Sequence, residues 1–86
     1  MPTIEAAAIR SDHDGQVHTL PRPARHHTII SHLAGLGFPT PITGEQGFVT
    51  SEGEFVDRFR AGQLAVRAGQ IDRPKWGRKL YSEDLW

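Results

Sequence analysis

Three of the five histidines in this 86-residue chain, His26, His27 and His32, sit close together just behind Arg22 and Arg25. Two histidines on one helix chelate a metal well when they are about four residues apart and share a face. Here the spacings are one, five and six, and adjacent helical side chains diverge by about 100°. A mononuclear site would have to recruit His13 or His18 from elsewhere, so no metal ligand is assigned. Charge offers a second chemistry. Helix N-termini carry unpaired amide donors and partial positive charge, which usually draws Asp or Glu. This stretch instead begins with Arg22, Arg25, His26 and His27. Arg22, Arg25 and His27 therefore form a candidate anion-binding cluster for a phosphate, a carboxylate or an acidic protein surface. The alternative is an ordinary amphipathic helix with solvated arginines at its start. Thr28 and Ser31 stand nearby, but no nucleophile elbow or phosphate loop surrounds them. No catalytic residue is assigned, and the chain is not expected to be an enzyme.

A second group of residues suits recognition. "RPKWGRK", Arg73 to Lys79, places Arg73, Lys75, Arg78 and Lys79 around Trp76. The tryptophan suits stacking on a base or anchoring in a protein pocket, with the cations steering the encounter. Phe59 between Arg58 and Arg60 repeats the aromatic-plus-arginine mixture enriched at interfaces. The helix that carries it has two apolar stripes. Ala61, Leu64, Ala65 and Ala68 form one, and Phe59, Gly62 and Val66 form another, nearly opposite. A helix in so small a domain rarely buries both sides in its own core. Either the tail "LYSEDLW" covers the second stripe, or it is a patch for another chain. Phe59, Val66, Arg58, Arg60, Trp76, Arg73, Lys75, Arg78 and Lys79 are the candidate partner contacts.

The elements that position these residues form one small α+β domain over residues 1–86. "TIEAAAIR" and "QVHTL" read as a β-hairpin about Asp14-Gly15, a two-residue turn signal that would pair Ile9 with Leu20 and Ser11 with His18. Ala6, Ala7 and Ala8 oppose this, since alanine favours helix. Pro23 suits the first position of a helix, along which His26, Ile29, Ile30, Leu33 and Leu36 follow the apolar spacing. Gly35 and Gly37 offer its C-cap. "GFVTSEGEFV" predicts a second short hairpin around Ser51 to Gly53. Asp57 is an N-cap for "RFRAGQLAVRA", and Gly69 closes that helix. A short C-terminal strand around Lys79 to Tyr81 and a final turn complete the expectation.

Composition narrows the function classes. Lys plus Arg and Asp plus Glu each total 10, so no global field draws the chain to nucleic acid or membrane. The absence of cysteine removes disulfides, thiolate zinc sites and cysteine nucleophiles. "MPTIEAAAIR" lacks the basic start of a signal peptide, and no apolar stretch nears the roughly 20 residues of a membrane span. A cytoplasmic protein with no cofactor is the expectation.

"GEQGFVTSEGEFVDR", "AGQ" at Ala68 to Gln70 and "LYSEDLW" resemble small bacteriophage- and prophage-encoded proteins, and "RPARHH" fits the same pattern. The resemblance implies a setting inside a bacterial host, not an activity, a cofactor or site residues. Small phage proteins of this kind often bind and block a host protein, including defence machinery such as CRISPR effector complexes. The expectation is thus a phage-type, non-enzymatic binding protein that occludes a surface of a larger host complex, such as an anti-CRISPR inhibitor of bacterial defence. A nucleic-acid-binding protein using the basic and aromatic patches is the alternative, and a histidine-liganded metal protein a second one. Homodimerisation is compatible with each.

Overall fold

The computed structural model describes residues 2–75 and 77–86. Strands β1 (Ile4–Ser11) and β2 (Val17–Thr19) come first, followed by helix α1 (His26–Gly35). Strands β3 (Gly44–Thr50) and β4 (Phe55–Asp57) lead directly into helix α2 (Arg58–Arg67). The sheet is antiparallel throughout, in the order β2-β1-β3-β4. This is the expected α+β architecture.

The three alanines belong to a strand because β1 is central. Ala7 pairs with Phe48, which pairs with Val56, and all three are buried on the face that meets the helices. Ile29 and Leu33 of α1 and Ala61, Leu64 and Ala65 of α2 close the same apolar cluster. Ala6 and Ala8 lie on the other face, opposite Val49 and Gly47. There the Phe55 ring covers Gly47, and the Arg10 guanidinium lies 4.6 Å from the centre of that ring. A Cβ at Gly47 would meet Phe55 Cζ at 2.8 Å and run into the Val56 carbonyl oxygen. Small side chains at Ala8 and Gly47 thus make the floor on which Phe55 rests.

The first hairpin departs from expectation in register. Ile9 pairs with His18, not Leu20, and Ser11 exchanges hydrogen bonds with Gln16 and Gly15 rather than facing His18. A type I′ turn needs positive φ at both central residues, but only Gly15 has it, at 69°. Asp14 instead accepts from the Gln16 amide at 2.9 Å, and Ser11 Oγ accepts from the His13 amide at 3.1 Å. These local bonds stabilise a longer loop.

Helix α1 also starts later than Pro23 suggests. Ala24 donates to the Pro21 carbonyl in a turn, and Arg25 is the N-cap. Both helices end as their glycines predict. Gly37 donates to Ala34 and Phe38 to Leu33, while Gly69 donates to Val66 and Gln70 to Ala65. This is the paired bonding of a Schellman motif, with Gly37 and Gly69 at φ 95° and 75°. The second motif sets Gln70 beside β1. Its side-chain amide accepts from Ile4 N–H at 2.7 Å and donates to Ile4 C=O at 3.1 Å, on the edge that β2 is too short to reach.

The expected strand at Lys79 to Tyr81 does not form. Leu80 donates to the Arg58 carbonyl at 3.0 Å, and the Arg58 guanidinium donates to the Leu80 carbonyl at 2.8 Å. The start of α2 therefore takes up both backbone groups of Leu80, leaving it nothing to share with a sheet edge. A short 3-10 turn at Ser82–Asp84 follows, and Leu80 is fully buried.

Candidate functional site

Helix α2 is placed by its cap. The Asp57 carboxylate accepts from the Arg60 amide at 2.8 Å, satisfying one of the unpaired donors of the first turn. This rotation sends Ala61, Leu64 and Ala65 into the core and leaves the second stripe outside. Phe59 and Val66 are 50% and 41% exposed. Pro74 and Arg78, which precede "LYSEDLW", cover that stripe, and only at its middle. A Cβ on Gly62 would lie 2.8 Å from the Arg78 carbonyl oxygen and 3.4 Å from Pro74 Cγ, so glycine there permits the tail to approach. Between these residues and the helix lies an open groove of about 630 Å³. Phe59, Val66 and Pro74 give it apolar walls, and Arg67 and Arg78 lie at its rim.

The cations expected to contact a partner divide into two kinds. Arg60, Arg73, Lys75, Arg78 and Lys79 are exposed, and Lys79 Nζ lies 5.5 Å from the centre of the Phe59 ring. Arg58 is half-buried and ties the fold together. Besides holding Leu80, it donates to Gln46 Oε1 at 2.6 Å and stacks 4.5 Å from the centre of the Tyr81 ring. Trp76 lies outside the described residues.

The three histidines of the α1 stretch do not come together, while His13 and His18 share one aromatic neighbour. His26 is buried, with its ring edge-on to Phe48 at 5.1 Å. Its Nε2–H donates to the Gly47 carbonyl at 2.8 Å, and Nδ1 faces the Arg58 guanidinium at 3.5 Å. Burial lowers its pKa, and the Arg58 charge adds to that, against the opposing effect of the Gly47 hydrogen bond. His13 and His18 both meet Phe38 edge-on, at 5.1 and 5.3 Å. His18 also pairs with Asp14 at 2.9 Å. The Gln16 amide first, and then His18, hold the Asp14 carboxyl below the usual carboxylate range. His27 and His32 are exposed. Among the described residues no three His, Cys, Asp or Glu side chains group to hold a metal ion.

The anion-binding cluster is partly taken up within the chain. Arg25 donates to the Trp86 carbonyl, while the indole N–H donates to the Ala24 carbonyl at 3.1 Å. The Arg22 guanidinium lies 5.5 Å from the centre of the Trp86 ring and 3.8 Å from the Glu5 carboxylate. The basic start of α1 thus docks the C-terminal tryptophan, with His27 apart from both arginines in its interactions.

Sequence reasoning missed the second wall of the groove, formed by Pro74 and Gly77. The available signal was Gly62, a costly residue inside an otherwise favourable helix and hence a mark of close backbone approach.

The family described as "Phage T4 y16D protein" matches this chain over residues 3–86. The chain belongs to that family. The phage-type resemblance of its sequence is accounted for, and the match takes in both walls of the groove. No curated protein and no solved structure matches the chain. No helix among the described residues is long and apolar enough to cross a membrane.

Proposed function

We propose that this member of the phage T4 y16D family is a non-catalytic binding protein, which acts by covering a surface of a larger host protein complex. The observation that carries this reading is the exposed Phe59–Val66 stripe on a helix whose opposite face is already in the core. Such a helix offers apolar area on a rigid support, so little ordering entropy opposes binding. The histidines support the same reading. Both ring nitrogens of His26 face structural partners, and His13 and His18 pack on Phe38. A component of bacterial defence, such as a CRISPR effector complex, is the class of target in keeping with a phage gene product.

The test is affinity capture from nuclease-treated bacterial lysate with the tagged wild-type chain and a Val66→Asp variant, each first shown to melt cooperatively. The wild type should retain a stoichiometric complex, which Val66→Asp should release. Retention by both would place the contact elsewhere. Loss of retention after nuclease treatment alone would favour nucleic-acid binding, whose affinity falls steeply with salt.

A further inference from the structure

Resting on the reading of the α2 face as a docking surface, we infer that its groove receives an apolar side chain flanked by carboxylates, carried on an acidic segment of the partner protein. The first argument is shape. The groove, at about 630 Å³, is open to one side and has room for a large apolar side chain. Its walls are the Phe59 ring, Val66 and Pro74, with the backbone at Gly62 between them.

The second argument is the distribution of charge. The chain is neutral as a whole, but its ion pairs are not spread evenly. Arg10–Glu45, Asp14–His18 and Arg22–Glu5 all lie away from α2 and the tail. Among the described residues Arg60, Arg67, Arg73, Lys75, Arg78 and Lys79 have no carboxylate within ion-pair distance. Two of the nearby acids are engaged with backbone instead. Asp57 caps α2, and Asp84 accepts from the Lys75 and Tyr81 amides at 3.1 and 2.9 Å. The groove is therefore apolar inside and cationic around its rim, and its complement is apolar at the centre and anionic around it.

That pattern disfavours the other occupants. A second copy seated symmetrically on the groove would bring these cations against their own counterparts. A single strand of nucleic acid needs successive aromatic platforms beneath its bases. The Phe59 ring already has Lys79 against it, 5.5 Å from its centre.

The experiment uses the full 15N-labelled chain and follows amide shifts at Gly62, Val66 and Gly77. The probe is an acetylated Glu-Leu-Glu-Phe-Glu-Leu-Glu peptide, with three comparators: Lys in place of Glu, Ser in place of Leu and Phe, and oligothymidine. The acidic apolar peptide should shift the groove amides, and the Lys and Ser peptides should not. Arg67→Glu with Arg78→Glu should weaken that binding about tenfold or more, while Arg10→Gln, on the far face, should leave it unchanged. Equal shifts from the Lys or Ser peptide would overturn the inference, as would tighter binding of oligothymidine at the same amides. Silence from the acidic apolar peptide would also overturn it. In that case the docking reading still stands if Val66→Asp releases the captured complex, and falls with it if the complex is retained.

Discussion

His26 is a titratable group kept neutral by its surroundings. It is buried against Phe48, its Nε2–H is held by the Gly47 carbonyl, and Nδ1 faces Arg58. Protonation would set a second cation 3.5 Å from the guanidinium, with Glu83 the carboxylate that opposes the effect. The folded-state pKa lies below the ordinary 6.5, so below that pH the unfolded chain binds a proton that the folded chain refuses. Stability from this source is complete above pH 6.5 and is lost as pH falls towards the lowered value, by at most about 1.4 kcal/mol per pH unit. His26→Gln should flatten the fall below about pH 6.5 in urea melts, even if the variant is less stable at neutral pH. Arg58→Lys tests the partner. A single ammonium cannot reproduce the planar fork that reaches Leu80 and Gln46 while stacking on Tyr81. A loss of about 1–3 kcal/mol in the same melts is expected.

At the level of elements, two glycines predict opposite outcomes. Gly47→Ala drives a methyl group into the Val56 carbonyl and the Phe55 ring, and should cost more than about 2 kcal/mol. Gly35→Ala, in the last turn of α1 with open space around it, should be neutral or stabilise by up to about 1 kcal/mol. Chemical denaturation of the two variants checks both. What could be read in the sequence was local. Asp57 as a cap, Gly37 and Gly69 as helix ends, and the Ser51–Gly53 loop each depend on a few neighbouring residues. The rest depended on distant partners. Arg58 reads as a surface cation beside Phe59 until Leu80, Gln46 and Tyr81 close around it. The alanines of β1 oppose the strand by propensity, and their burial in the central strand overrides it. The candidate site was half legible: the exposed stripe of α2 follows from periodicity, but its second wall depends on Pro74 and Arg78 meeting α2 at Gly62.

At the level of the whole molecule, the tail joins parts of the chain that do not follow one another. Leu80 reports to α2, and Trp86 docks against the turn before α1 through Ala24 and Arg25. Trp86→Ala should therefore loosen both places together, costing about 2 kcal/mol and raising amide exchange at Thr28 and Leu80 in parallel. Gln70 reaches further still, to Ile4 at the other end of the sequence, where its amide occupies the place that a neighbouring strand would take. In consequence, a single side chain guards the molecule against its own kind. The strip from Ile4 to Ala7 is apolar apart from Glu5 and runs beyond the end of β2, so an unguarded copy would offer its backbone to any extended chain nearby. Gln70→Ala should form thioflavin-positive aggregates at concentrations where the wild type stays clear, and equal clarity of both solutions would show that the Thr19 hydroxyl on Ala7 is guard enough.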